Sequence, residues 1–140
     1  MKQFTFSLQK ILNLRRHNED EAKLNLGRAV GVLTELENRI FDLVREQARA
    51  ATDQFNPGNS TATMHQYMLY LQRLEGSKER LFKEAAQAEL EVDEAREAFI
   101  EASRERKVLD KLKEKRQKEY RDSVFAEEAK ALDDIRKMGD

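Results

Sequence analysis

The sequence has no cysteine, no tryptophan and a single proline among its 140 residues. Without cysteine a disulfide framework is excluded, which is consistent with the cytosol. No apolar run approaches the ~20 residues that a membrane-spanning helix needs, and the first ten residues lack the apolar core of a signal peptide. The net charge of −1 disfavours a general binder of polyanions, nucleic acid included. We therefore expect a cytoplasmic protein that does not insert into a membrane.

The sequence also lacks the motifs of metal-binding and catalytic sites. The two histidines, His17 and His65, have no second ligand at metal-binding spacing that stands out from the charged background. The sequence contains no glycine-rich phosphate loop, no serine elbow and no cysteine nucleophile. We therefore predict no enzymatic activity, no catalytic residue, no cofactor and no metal site.

Charge and a long helical repeat are what the sequence does contain. Charged residues make up 38% and aromatic residues 7%, a balance typical of long helices rather than of a globular core. Residues 61–138 hold no proline and one glycine, and twelve of sixteen positions spaced alternately by four and three residues are apolar. Such a repeat predicts one helix of a coiled coil, which would extend ~110 Å. The positions are Tyr67, Leu71, Leu74, Lys78, Leu81, Ala85, Ala88, Val92, Ala95, Phe99, Ala102, Arg106, Leu109, Lys113, Arg116 and Tyr120.

We call such a row of positions a seam, because it forms the contact line between two helices of a coiled coil. A second seam precedes the first in the sequence, and ten of its thirteen positions are apolar. The positions are Leu8, Leu12, Arg15, Glu19, Ala22, Leu26, Ala29, Leu33, Leu36, Ile40, Leu43, Gln47 and Ala50. Pro57 and Gly58 end the repeat and predict a short turn, which makes the two helices antiparallel. The fold prediction is all-α: a single two-helix antiparallel coiled-coil domain over residues 1–140, with a first helix at about 5–54, a turn at 55–60 and a longer second helix at about 61–138.

The two seams also predict a register. Pairing residues whose numbers sum to 121 sets a large side chain against a small one in successive layers, as close packing requires. Arg15 then faces Arg106, so both need acidic partners or must extend to solvent. Phe4 falls near Gln117, and the chain after about Tyr120 has no partner within the hairpin. That overhang continues a weaker apolar seam, which is compatible with a docking segment or with a frayed tail.

Two stretches stand out as candidate binding surfaces. Around Tyr67–Leu71 the helix is apolar on all sides, more than one partner helix can cover, which favours a protein interaction site. Arg104–Arg121, called here the basic segment, has nine Lys or Arg against four Asp or Glu, whereas Glu75–Glu101 has nine acidic against four basic residues. Because Arg106, Lys113 and Arg116 occupy seam positions, where charge weakens the hairpin, an acidic partner or a rearrangement of the hairpin is favoured over a solvated helix face. Nucleic acid is disfavoured because no aromatic residues interleave with the cations.

Four short motifs occur in an order and spacing that resemble the FliJ family, coiled-coil components of the bacterial flagellar export apparatus. They are Phe4-x-Phe6-x-Leu8-x-x-Ile11-Leu12 with Arg15 or Arg16 and Glu21-Ala22; Tyr67-x-x-Tyr70-Leu71-x-x-Leu74-Glu75; Glu105-Arg106-Lys107-x-Leu109-x-Lys111-Leu112-x-Glu114-Lys115; and Glu128-x-Lys130-x-Leu132-Asp133. The resemblance covers nearly the whole chain.

The resemblance implies a stalk similar to the gamma subunit of rotary ATPases, which binds the hexameric export ATPase, the cytoplasmic domain of the export gate and export chaperones. It implies that the gate contact includes Tyr70 and Leu74, although Ser77 and Leu81 depart from the family pattern. The predicted gate residues are Tyr67, Met68, Tyr70, Leu71 and Leu74. By the stalk analogy the predicted residues for the ATPase ring are Arg106, Lys107, Lys111, Lys113, Lys115 and Arg116. The chain would be a monomer when free and peripheral at the inner membrane through the export apparatus.

Three other functions remain open from the sequence. The first is the equivalent stalk of a virulence type III secretion system. The second is a self-associating coiled-coil scaffold, which would sediment as a stable dimer or tetramer rather than as a monomer. The third is a binder of membrane surfaces or nucleic acid, which would require salt-sensitive binding to lipid or DNA.

Overall fold

The computed structural model describes residues 3–139, and this part of the chain forms two α-helices and no strand. Helix α1 spans Gln9–Gln54 and helix α2 spans Thr61–Gly139. The helices run antiparallel and pack against each other, so the all-α hairpin with a longer second helix is confirmed. By compactness the chain divides into two units, one made of the residues before Lys23 and after Ala98, the other of Lys23–Ala98. The prediction of a single domain stays a prediction.

Helix α1 begins at Gln9, four residues after the predicted start. The amide of Leu12 donates the first helical hydrogen bond to the Leu8 carbonyl, at 2.9 Å. Before it, Phe6 is buried and the Phe4 ring lies 5.7 Å from the Tyr120 ring. Phe4 therefore reaches one helical turn beyond its predicted neighbour Gln117. The reason is that non-helical backbone advances more per residue than the 1.5 Å of a helix.

Side chains of the turn between the helices form hydrogen bonds with the unpaired backbone groups at the two helix ends. The Asn59 side-chain amide donates to the carbonyls of Asp53 and Gln54, at 2.7 and 3.1 Å, at the end of α1. The amide of Thr63 donates to the Ser60 hydroxyl at 3.1 Å, which makes Ser60 the N-cap of α2. Side-chain caps at both ends let α2 start directly after a short turn.

The unit Lys23–Ala98 contains a small core at the predicted seams. Leu36, Ala85 and Ala88 are buried, and Leu33, Ile40 and Leu81 pack against them. This cluster contains both members of three predicted layers, 36 with 85, 33 with 88 and 40 with 81. The seam positions therefore lie where the four-three repeat predicts them, with a large residue of α1 beside small residues of α2.

In the other unit the seam continues to Tyr120. All thirteen positions of the first seam and fifteen of the sixteen positions of the second are buried or half-buried; Arg116 is exposed. Beyond Tyr120 the helix continues. Among residues 121–139 only Val124 is half-buried, while the large apolar side chains Phe125, Leu132, Ile135 and Met138 are exposed. The overhang is helical through Gly139, and its docking role stays a prediction.

Candidate functional site

The apolar turn is partly covered by α1. The side chains of Tyr67, Tyr70 and Leu71 are half-buried, as is that of Leu74 one turn later. Between them Met68 is 42% exposed, and Leu69 is 45% exposed. The helix-helix contact therefore covers one side of this turn and leaves a second, apolar side open to solvent. We call residues 66–74 of α2 the aromatic surface.

A network of hydrogen bonds with charged side chains connects Tyr70 to α1. Its hydroxyl donates a 2.8 Å hydrogen bond to the Glu46 carboxylate. Arg49 holds that carboxylate with two hydrogen bonds, from Nε at 2.9 Å and from Nη2, and it also reaches Asp53 at 2.9 Å. The hydrogen bonds from Arg49 and Tyr70 lower the pKa of Glu46 to about 2, and the same contact raises the pKa of Tyr70. The Tyr70 ring is thus held in one position on the surface.

A second link between the helices lies on α2 one turn further along. The Gln47 side-chain amide donates to Glu75 at 2.9 Å, and Lys78 forms an ion pair with the same carboxylate at 3.0 Å. The hydrogen bonds from Lys78 and Gln47 hold the pKa of Glu75 below its ordinary value. Lys78 is a charged residue at a seam position, and this ion pair explains how the seam accommodates it.

Two shallow grooves flank Arg73 on the aromatic surface. One is lined by Gln66, Leu69, Gln72 and Arg73. The other is lined by Thr63, Gln66, Tyr67, Tyr70 and Arg73. The guanidinium carbon of Arg73 lies 5.7 Å from the centre of the Tyr70 ring, a cation–π distance. The aromatic surface therefore combines two tyrosine rings and apolar side chains with one cation, and is not a purely apolar patch.

The basic segment begins with a network of ion pairs. Arg106 donates from Nε to both oxygens of Glu19, at 2.9 and 3.1 Å, and from Nη1 to Asp110 at 2.6 Å. Arg15 pairs with Glu105 at 2.6 Å, and Arg16 pairs with Asp110 at 3.3 Å. Arg15 and Arg106, which the register sets opposite each other, thus both have acidic partners.

This network also shifts the proton affinities of its carboxyl groups. Desolvation by itself raises the pKa of Glu19, but hydrogen bonds from Arg106 and Ser103 and the charge of Arg106 outweigh it and hold the pKa below its ordinary value. The hydrogen bond from Arg106 also lowers the pKa of Asp110, against some desolvation. Both carboxyl groups are therefore ionised at neutral pH and neutralise Arg106.

The predicted ring-binding residues fall into three groups. Lys107, Lys111 and Lys115 are exposed and spaced by four residues, so they share one face of α2, and no ion pair involves them within residues 3–139. Lys113 and Arg116 are seam positions, of which Lys113 is half-buried and Arg116 is exposed. Arg106 is engaged within the chain, so the structure separates it from the cations that remain open to a partner.

Sequence reasoning missed Glu46, Arg49 and Arg73. Each has a signal in the sequence, because Arg49 lies three residues after Glu46 and Arg73 three residues after Tyr70, a spacing that brings helical side chains together. The link from Glu46 to Tyr70 has no such local signal. It depends on which flank of α1 faces α2, which the seam alone does not fix.

Neither a metal site nor a membrane-spanning segment is found in the described residues. No group of three or more His, Cys, Asp or Glu side chains within residues 3–139 could hold a metal ion. Over the same range, neither helix is long and apolar enough to cross a membrane.

Comparison with known protein families identifies a match. The family described as flagellar FliJ protein matches residues 4–139, which is nearly the whole chain. No curated protein matches, and no solved structure matches. The family match includes all four motifs that carry the resemblance. The chain therefore belongs to the FliJ family, whose members are components of the flagellar export apparatus.

Proposed function

We propose that this chain is a non-enzymatic coupling protein of flagellar export that binds the export ATPase hexamer, the cytoplasmic domain of the export gate and export chaperones. The gate contact uses the aromatic surface, with Tyr67, Met68, Tyr70, Leu71 and Leu74. Support comes from the exposure of Met68 and Leu69 beside a fixed Tyr70, because an apolar patch next to a rigid aromatic ring is typical of protein interfaces. This exposed patch is the observation that carries the proposal.

The gate contact is tested by binding of the purified gate domain. Tyr70→Ala with Leu74→Ala should weaken binding, but both side chains also pack against α1. Met68→Ala with Leu69→Ala is therefore the sharper variant, since it removes exposed side chains and leaves the helix contact unchanged. Leu90→Ala is the matched control, because Leu90 lies on the same helix and is 57% exposed. Equal binding by all variants and the unaltered chain would reject the gate assignment.

The ATPase contact uses the free cations of the basic segment. Lys107, Lys111 and Lys115 form a stripe along one face of α2, which suits an acidic partner surface. Lys113 and Arg116 lie on other faces and would contribute less, and Arg106 would act by holding the helices together. The chain would act at the inner membrane through these contacts, as a monomer when free.

The ATPase contact is tested by activity. ATP hydrolysis by the export ATPase should increase when the chain is added at well below one copy per ATPase subunit, because one stalk would serve a whole ring. Changing Lys107, Lys111 and Lys115 to Gln should reduce this stimulation in a salt-dependent way. Changing Arg80, Lys83 and Arg96 to Gln removes the same charge elsewhere on α2 and should leave stimulation intact. Stimulation that depends on neither charge nor salt would reject this contact, and a stable dimer or tetramer in sedimentation would favour the scaffold function.

A further inference from the structure

Arg73 lies at the centre of the aromatic surface. It is exposed, and it lines both of the grooves described above, one beside Leu69 and the other beside Tyr67 and Tyr70. Its guanidinium carbon lies over the Tyr70 ring, 5.7 Å from the ring centre. A partner that filled either groove would therefore contact this cation.

The positive charge of Arg73 is not neutralised by the chain. Within residues 3–139 no ion pair joins Arg73 to a carboxylate. The carboxylate nearest in the network, Glu46, is bound at the hydroxyl end of Tyr70 and is already held by Arg49. Arg49 is in turn shared with Asp53. Glu46 and Asp53 are therefore both bound by Arg49, and Arg73, which forms no ion pair within residues 3–139, remains open to an external anion.

The position of Arg73 over the Tyr70 ring makes it well suited to bind a carboxylate. A guanidinium over an aromatic ring keeps its edge N–H groups available for two parallel hydrogen bonds to a carboxylate. Because the ring is fixed by Glu46, the cation has less freedom to lose when a partner binds. Leu69, 45% exposed in the adjoining groove, offers an apolar contact beside it.

We propose that Arg73 is the charged recognition residue of the aromatic surface, and that it binds a carboxylate next to an apolar side chain on the partner segment. The inference rests on the proposed gate contact and specifies its chemistry: the partner segment carries an Asp or Glu adjacent to an apolar residue. Glu46 and Arg49 are positioning residues, which keep the Tyr70 ring beneath the guanidinium.

The test is calorimetric binding of the gate's cytoplasmic domain to Arg73 variants. Arg73→Gln should raise Kd about tenfold, the size expected for one charge-assisted contact. Arg73→Lys keeps the charge but loses the planar guanidinium, so its Kd should lie between those of the unaltered chain and Arg73→Gln. Arg73→Glu should bind more weakly than Arg73→Gln. The difference between the unaltered chain and Arg73→Gln should narrow as the salt concentration rises from about 0.05 M to about 0.5 M.

Arg96→Gln is the matched control. Arg96 is exposed on the same helix, ~35 Å further along, and pairs with Asp93. Its substitution should leave Kd unchanged, and no Arg73 variant should alter the helical signal or the Tm. The inference is overturned if Arg73→Gln binds within twofold of the unaltered chain or no more weakly than Arg96→Gln. If Met68→Ala with Leu69→Ala weakens binding while Arg73→Gln does not, only this inference fails; no binding by the unaltered chain overturns both proposals.

Discussion

Two cations of the basic segment should differ sharply in what they do for stability. Arg106 contacts Glu19 and Asp110, whereas Lys111, five residues later on the same helix, is exposed and forms no ion pair within residues 3–139. Changing each to Gln removes one positive charge from α2 at a closely similar position. Any difference in the free energy of unfolding then reports the ion-pair network and not the net charge.

The magnitude follows from the exposure of the three side chains. Arg106 is 26% exposed, Glu19 18% and Asp110 26%, so these pairs lie between fully exposed and buried ones. Exposed ion pairs contribute up to about 1 kcal/mol, and hydrogen bonds to charged groups about 1.5–3 kcal/mol. Discounting for solvent, we assign about 1 kcal/mol to each partner of Arg106. Arg106→Gln should therefore lower the free energy of unfolding by about 2 kcal/mol, and Lys111→Gln should change it by less than about 0.5 kcal/mol.

The assay is thermal unfolding followed by the helical signal in circular dichroism. About 2 kcal/mol corresponds to a decrease in Tm of about 7 °C for a chain of this length. Raising the salt concentration should narrow the gap between Arg106→Gln and the unaltered chain, because the pairs are partly screened. Equal Tm values for the two variants would refute the assignment of Arg106 to the interior network, and Arg106 would return to the set of open cations.

Three further predictions concern pH, packing and helix propensity. The pKa of Glu19 in the folded chain lies below its ordinary value of 4.5. Its ion pair with Arg106 therefore stabilises the fold above pH 4.5, and this contribution is lost as the pH falls through the folded pKa. Glu19→Gln should accordingly make Tm fall less steeply as the pH is lowered. Leu36→Ala should cost about 2–3 kcal/mol in urea unfolding because Leu36 is buried, whereas Leu24→Ala, 61% exposed, should cost less than about 0.5 kcal/mol. Gly31→Ala should raise the free energy of unfolding by about 1 kcal/mol in the same assay, since a Cβ there meets no atom within 4 Å. No gain would contradict the open position of Gly31 on α1.

Much of the fold could be predicted because the four-three repeat is a property of the helix itself. Residues spaced in this way share a face in any α-helix, so the seam from Tyr67 to Tyr120 could be identified without knowing its partner. The turn at Pro57 and Gly58 then made the helices antiparallel, and the layers around Leu36 and Ala85 lie where the register sets them. Helix α1 begins at Gln9 rather than at about residue 5, and the non-helical residues before it carry the buried Phe6 and the Phe4 ring that lies near Tyr120.

The candidate site could be predicted only in part. Tyr70 and the basic segment were identified from composition along one helix. The partners of these residues come from the other helix: Glu46 for Tyr70, Glu19 for Arg106. Such contacts are made by residues that flank the seam. Several charged residues of either sign lie close enough to pair there, and the four-three repeat does not predict which of them do.

By itself the sequence determined the helices, the position of the turn, the seams and the family, because periodicity, helix-breaking residues and short motifs are local along the chain. The tertiary structure decided which charged side chains form ion pairs between the helices and which remain exposed to a partner. Arg106 and Lys111 look alike in the sequence, as do Arg49 and Arg73. Arg106 differs from Lys111 because Glu19 of the other helix lies against it, whereas Arg49 differs from Arg73 because Glu46 and Asp53 lie three and four residues away on its own helix. Ion pairing between the helices depends on distances of a few ångströms that only the packed helices define.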